Sequence, residues 1–158
     1  MNIVDYVYDE CHRRHVTNYG DFANGWEFAT ELEILKSERS LGLFVQGIAR
    51  EVEPDLNRYS AKSARFDNLR TSHVGFMHGG SAAPAGEVRE RFDRWCEFAF
   101  NICAMPYPQM THVDSLIKQL LDIHPFADGN GRTASILRNR MLGTLNDPTP
   151  LPFYYGSA

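Results

Sequence analysis

Apolar residues recur at helical spacing along most of this chain. Ile3, Val4, Val7, Tyr8 and Cys11 share one side of a helix over residues 2–15. Trp26, Ala29, Leu32 and Leu35 predict a second helix from Trp26 to about Ser37, and Leu41, Phe44, Val45 and Ile48 a third from about Ser40 to Val52. Between the first two, Thr17 to Gly25 is rich in Asn, Gly and Asp and reads as a loop. Glu53-Pro54 closes the third helix, because the residue before a proline is driven out of the helical region. The helical period is lost over residues 55–82. There Phe66, Leu69, Val74, Phe76 and Met77 stand among polar residues ahead of Gly79-Gly80, which predicts an exposed hairpin or flap, or an irregular surface loop. Helix resumes after Pro84, where Val88, Phe92, Trp95, Cys96, Ala99, Ile102 and Cys103 make one apolar stripe. Arg89, Glu90, Asp93, Arg94 and Glu97 take its solvated faces, and Pro106 and Pro108 end it. Thr111, three residues before Asp114, marks a capping-box-like start for a helix with Val113, Leu116, Ile117, Leu120 and Leu121 inward. That helix is expected to be central. A last one runs from near Asn130 to about Leu145, with Ala134, Leu137, Met141 and Leu145 inward, and Asn146-Asp147-Pro148 stops it. The tail through Pro150 and Pro152 reads as extended. The expected fold class is mostly α, six or seven helices with one small β element.

Composition narrows the possibilities. With 43% apolar and 12% aromatic residues over 158 positions, the chain can bury a real core. No internal repeat or linker divides it, so residues 1–158 are expected to form one domain. A net charge of -4 argues against a nucleic-acid footprint, which needs a basic face. Cys11, Cys96 and Cys103 are odd in number and lack metal-ligand spacing; Cys96 and Cys103, seven apart in a helical stretch, read as small core hydrophobes, and a reduced, intracellular setting is expected. No basic segment followed by an apolar one opens the chain, and no apolar run approaches the ~20 residues of a membrane span. A cytoplasmic location with no membrane partner is expected.

The chemistry concentrates in His124-Pro125-Phe126-Ala127-Asp128-Gly129-Asn130-Gly131-Arg132, between the last two predicted helices. His124 suits a general base near neutral pH. Asp128 is a hard oxygen ligand for Mg²⁺ shared with phosphate oxygens. Gly129-Asn130-Gly131 lets successive backbone N–H groups point at one anion, at a place where the next helix begins. Arg132 offers a planar fork to a phosphate oxygen. Phe126 anchors the loop, and Pro125 stiffens the exit from the preceding helix. Taken singly, each residue has an ordinary reading as cap, turn or solvated side chain; the order base, metal ligand, anion nest and cation is what singles them out. The remaining histidines, His12, His15, His73, His78 and His112, form no metal spacing.

Those nine residues resemble the signature loop of the Fic (Fic/Doc) domain family, His-Pro-Phe-x-Asp/Glu-Gly-Asn-Gly-Arg, at every specified position. More weakly, the stretch with Arg70 and Val74, then Pro84 and the helix through Trp95, is similar to that family's flap and following helix. The resemblance implies a Fic-like helical bundle with a small β-hairpin flap, its core at about 40–146, its flap at about 66–78 and its active-site loop at 124–132. It implies transfer of AMP from ATP, or of a monophosphate from another nucleoside triphosphate, to a Tyr, Thr or Ser hydroxyl of a target protein. His124 would take the hydroxyl proton and Asp128 would hold Mg²⁺. Gly129, Asn130 and Gly131 would cradle the phosphates, and Arg132 would stabilise the leaving pyrophosphate. The flap would hold the target by strand addition, with Arg70, His73 and Val74 as candidate contacts.

The chain departs from the family in two places. Many members carry a second arginine three residues after the first; here that position is Ser135, and Arg138 lies one turn further on. The transferred group therefore stays open: AMP transfer, Doc-like phosphotransfer to a protein, or a nucleotide- or protein-binding module without catalysis. Many members also carry an inhibitory Ser/Thr-x-x-x-Glu-Gly/Asn helix. The nearest match is Thr17-x-x-x-Asp21, followed by Phe22, so control is expected from a separate antitoxin-like partner or from substrate supply.

Overall fold

A computed structural model describes residues 1–31, 37–60, 67–75, 82–106 and 109–152. Six α-helices follow one another among them: α1 (Ile3–Arg13), α2 (Tyr19–Glu31), α3 (Glu38–Val52), α4 (Val88–Cys103), α5 (Met110–Ile123) and α6 (Asn130–Leu142). A single 3-10 turn, Ala85–Glu87, leads into α4. The fold is mostly helical, as the periodicity predicts.

The core gathers around α3 and α6. On α3 the predicted inner residues Leu41, Phe44, Val45 and Ile48 are buried, and so are Gly42, Gln46, Gly47 and Ala49, because α2, α4 and α6 all pack on it. Every residue of α6 from Asn130 to Asn139 is buried, six of them polar. The central position expected for α5 thus belongs to α3 and α6. In α5 the stripe Val113, Leu116, Ile117, Leu120 and Leu121 is buried while the opposite face stays in solvent. In α4 the stripe is buried from Val88 to Ala99, and Ile102 and Cys103 are half-buried.

The loop expected over Thr17 to Gly25 is largely helix, since α2 starts at Tyr19. Tertiary packing overrides the weak helix propensity of its Gly and Asn residues. Phe22 and Ala29 are buried, and Gly25 lets α2 close on its neighbours: a Cβ there would lie 2.6 Å from Val52 Cγ2 and 3.2 Å from Ile136 Cδ1. Leu32 and Leu35 lie outside the described residues. Ser37, expected to end that helix, instead caps α3, its Oγ accepting the Ser40 N–H at 3.1 Å. Thr111 does not cap α5. The helix begins at Met110 behind Gln109, which places Thr111 inside the first turn. At the other end Gly143, with φ 71°, stops α6 before Leu145.

No β-strand forms among the described residues. Of the flap expected at 66–78, residues 67–75 are described, as irregular chain with one isolated bridge residue at Gly75; the rest lies outside them. The physical reason is where the backbone bonds go. Arg70 N–H donates to the Pro125 carbonyl at 2.8 Å, Asn68 N–H to Gln46 Oε1 at 3.3 Å and Leu69 N–H to Asp67 Oδ1 at 2.9 Å, rather than to a neighbouring strand. Arg89 of α4 forms an ion pair with Asp67 and ties this segment to the bundle.

Cys11, Cys96 and Cys103 carry no disulfide. Burial, the largest influence in each case, pushes the Cys11 thiol up to about 11 and that of Cys96 up to about 12, so both stay protonated core groups at neutral pH. Among the described residues no helix is long and apolar enough to cross a membrane.

Candidate active site

α5 ends by turning into a left-handed residue, His124, with φ 51° and ψ 64°. Such a backbone costs a non-glycine residue about 1–2 kcal/mol and needs support from its surroundings. Arg70 supplies much of it. Its backbone N–H donates to the Pro125 carbonyl. Its guanidinium donates to the carbonyls of His124 (2.5 Å), Ile123 (3.1 Å), Ala83 (2.6 Å) and Ser72 (2.7 Å). Arg70 is buried and committed to main-chain oxygens, so it clasps the loop rather than facing outward as a target contact. Of the other two candidate contacts, His73 is exposed and Val74 half-buried.

The turn fixes the imidazole. His124 Nδ1 lies 2.6 Å from the Leu121 carbonyl oxygen. A carbonyl only accepts, so Nδ1 carries a proton, and in the neutral ring the lone pair that a base requires is on Nε2. The ring is fully enclosed.

Beyond His124 the loop is held from within. Phe126 is buried, edge-on to Phe92 with ring centroids 6.3 Å apart. Asn130 anchors the loop through both ends of its amide: Oδ1 accepts the Phe126 N–H at 2.9 Å and Nδ2 donates to the Phe126 carbonyl at 2.9 Å. Its side chain therefore shapes the loop. Asn57 Nδ2 pins the next stretch, donating to the carbonyls of Asp128 (2.8 Å) and Ala49 (3.0 Å). Asn68 Nδ2 in turn donates to the carbonyls of Asn57 and Gln46, both at 2.8 Å. A chain of buried amides thus runs from α3 through the 67–70 segment to the loop.

Gly129, at φ 75°, precedes α6 and offers no side-chain cap, so the first N–H groups of the helix point outward from its positive end. Asp128 Oδ1 takes the Gly129 N–H at 2.8 Å, and Oδ2 lies 3.6 Å from Arg132. Arg132 is almost fully buried. Its Nη1 donates to Asn18 Oδ1 at 3.0 Å, and its Nη2 pairs with Glu53 Oε2 at 3.2 Å. Among the described residues no group of three His, Cys, Asp or Glu side chains could hold a metal unaided. The partly exposed Asp128 carboxylate fits the other arrangement, one protein ligand for a hard cation completed by phosphate oxygens.

Ser135 and Arg138 face away from the cradle. Ser135 Oγ is 2.7 Å from Tyr6 Oη, inside the contact between α1 and α6. Arg138 bonds Asp114 at 2.6 Å and Thr149 at 3.0 Å. The structure also brings in Arg14, Asn18, Glu53 and Asn57, which sequence reasoning passes over. Glu53 and Asn57 follow α3 and stay at least half-buried, which nothing in their spacing announces. Two clefts lie elsewhere, one of about 340 Å³ beside α3 and α4 and one of about 290 Å³ beside α4 and α5; neither is lined by the 124–132 loop.

A profile of the Fic/DOC family matches residues 47–142, more than half of the chain. The chain is also similar to proteins named "Protein adenylyltransferase Fic" from Drosophila sechellia, Drosophila simulans and Drosophila melanogaster, at 37% identity over 57 residues in each case. The matched stretch is 35% of this chain and 11% of each relative, so the likeness spans about a tenth of their length.

Proposed function

Because this chain belongs to the Fic/DOC family, we propose that it transfers a nucleoside monophosphate, AMP from ATP in the first instance, to a hydroxyl side chain of a target protein. The observation that carries this reading is the placement of His124, held by the Nδ1 contact to the Leu121 carbonyl, at the head of a loop that ends in an uncapped helix N-terminus. In the proposed reaction a Tyr, Thr or Ser oxygen attacks the α-phosphorus and its proton passes to Nε2. The new O–P bond forms as the bond from the α-phosphorus to the bridging oxygen breaks, and pyrophosphate leaves. Arg132 meets its charge, and the N–H groups at the start of α6 hold phosphate oxygens. Asp128 would hold Mg²⁺, which when bound neutralises phosphate oxygens. Catalysis of this kind rests on positioning and fixed charge more than on covalent chemistry. His124 is enclosed, so a target hydroxyl reaches it only after the site opens. We place the core at about 40–146, a span supported by the match over 47–142. A flap at 66–78 would present the target segment, with His73 and Val74 as its described candidates for contact, and the three unpaired thiols suit a reducing, cytoplasmic setting.

The buried, Tyr6-bonded Ser135 favours weighing a second reading, phosphotransfer, in which the oxygen attacks the γ-phosphorus and the nucleoside diphosphate leaves. A third reading, a binding module without catalysis, draws on the same residue. Incubation of the protein with Mg²⁺ and α- or γ-labelled ATP, then UTP and GTP, in the presence of a cell lysate separates these readings. Label from the α position on protein is expected. Label from the γ position alone would make the chain a phosphotransferase, and ligand-dependent thermal shift without covalent product would make it a binding module. His124→Ala should abolish transfer with circular dichroism unchanged; equal transfer by that variant would sink the role given to His124.

A further inference from the structure

The last carbonyls of α5 need partners from outside the helix ladder, because a helix C-terminus has no N–H groups of its own left for them. His124 takes two of them itself. Its backbone N–H donates to the Leu120 carbonyl at 3.0 Å, and its Nδ1 lies 2.6 Å from the Leu121 carbonyl oxygen. The carbonyls of Ile123 and His124 go to Arg70, whose Nη2 and Nε donate to them at 3.1 and 2.5 Å. The backbone N–H of Arg70 then takes the Pro125 carbonyl at 2.8 Å. One residue thus holds three consecutive carbonyls across the left-handed turn on which the imidazole stands.

The same guanidinium reaches two further segments. Nη1 donates to the Ser72 carbonyl at 2.7 Å and Nη2 to the Ala83 carbonyl at 2.6 Å. Arg70 is buried, and a buried cation is costly unless it is hydrogen-bonded. Here its planar fork meets four carbonyls, and two of them belong to the negative end of the α5 dipole, which favours a cation. A lysine would keep the charge and lose the fork. Its three donors leave one nitrogen and cannot span carbonyls at 72, 83, 123 and 124 together.

We propose that Arg70 is the positioning residue of the base: by holding the carbonyls of residues 123–125 it keeps His124 in its left-handed turn and so aims Nε2. This rests on the reading of His124 as the group that takes the target's proton. A left-handed backbone is unfavourable for a residue with a Cβ and persists only where its surroundings impose it. Without the three bonds from Arg70 the turn relaxes, the imidazole leaves the Leu121 carbonyl, and the ring proton distributes over both nitrogens. The bonds of Arg70 described here all end on main-chain oxygens, so it acts on the reaction through His124 and not by touching a substrate.

Two measurements on the full chain test this, each on wild type, Arg70→Lys and Arg70→Gln. One is the ring-nitrogen chemical shifts of His124 above neutral pH; the other is the rate of label transfer from α-labelled Mg·ATP in a cell lysate. Wild type is expected to show the Nδ1–H form. In the folded variants the two ring nitrogens should move toward the average of both tautomers. Transfer at saturating Mg·ATP should fall about tenfold to hundredfold, the scale of a misplaced catalytic group, with the apparent KM for Mg·ATP within about twofold. Wild-type transfer rates in the folded variants overturn the Arg70 assignment and leave the role of His124 standing. Slower transfer with unchanged ring shifts means that Arg70 supports the fold without acting through His124, and also overturns it. A wild-type chain that transfers no label overturns the reading of the base and the assignment with it. Should neither variant fold, hydrogen exchange in wild type decides: the Arg70 Nε–H must exchange as slowly as the His124 backbone N–H, and one that exchanges like an exposed arginine's rejects the proposal.

Discussion

Glu10 sits at no exposure in α1, with Oε1 taking the Leu151 N–H at 2.9 Å. Burial raises its pKa above the ordinary 4.5; the Leu151 N–H and the Arg14 charge oppose the shift without cancelling it. A carboxyl whose folded pKa is raised binds more protons in the folded chain than in the unfolded one at pH values between the two. Stability therefore falls as pH climbs from about 4.5 through the folded value, and the loss is complete above it. Glu10→Gln keeps an oxygen for Leu151 and removes the titration. The thermal midpoint of the variant should gain on that of the wild type as pH rises through this window; a constant gap would show that Glu10 does not titrate there. Tyr6, whose pKa burial and then the nearby Glu10 raise, stays neutral throughout and serves as a hydrogen-bonding partner of Ser135. These side chains carry ordinary letters in the sequence. Tyr6 and Glu10 read as positions of an amphipathic helix, and nothing in their spacing announces a partner 129 residues away.

Among the elements, α2, α3 and α6 meet at Gly25. The Cβ of an alanine there would overlap a methyl of Val52, whose other methyl lies 3.3 Å from where a Cβ on Gly129 would stand. Val52 is β-branched and has little freedom to turn aside. Gly25→Ala should gain up to ~1 kcal/mol of helix propensity and lose more through overpacking, for a net destabilisation of about 1–2 kcal/mol. Chemical denaturation measures this, and a variant more stable than wild type would mean that Val52 moves away without cost. The same glycine explains why a loop is expected over Thr17 to Gly25. Composition registers the conformational freedom of Gly and Asn but not the neighbour that makes a small residue necessary. The stripes of α4 and α5 are legible because one face of each stays in solvent. α6 loses that contrast, since it is buried on all sides and its polar residues turn inward to Tyr6, Asp114, Thr149 and the loop.

Across the whole molecule, the candidate site is legible where it is contiguous and hidden where it is assembled. His124 to Arg132 can be read from one stretch because base, carboxylate, glycines and cation follow each other. Asn18, Glu53, Asn57, Asn68 and Arg14 come from four other segments and acquire meaning only when the bundle closes. The amide chain Gln46–Asn68–Asn57 shows what closure adds. Asn57→Ala would take the Asn57 donor from the part-buried Asp128 carbonyl and leave the Ala49 carbonyl with the Glu53 N–H alone. It should cost about 2–3 kcal/mol and lower the thermal midpoint by roughly 5–10 °C. Nucleotide affinity, measured well below the transition, should fall as well; a change in stability alone would mean that Asp128 keeps its place without Asn57.

The docking of α1 on α6 also bears on biosynthesis. Tyr6 leaves the ribosome well before Ser135, its partner 129 positions further along the chain. No nascent chain short of α6 can form the contact between α1 and α6 that Tyr6 and Ser135 make. That contact comes into being when one of the longest loops in the chain closes, a step that contact order makes late. A translation product that stops before α6 therefore lacks both this contact and the end of the 124–132 loop.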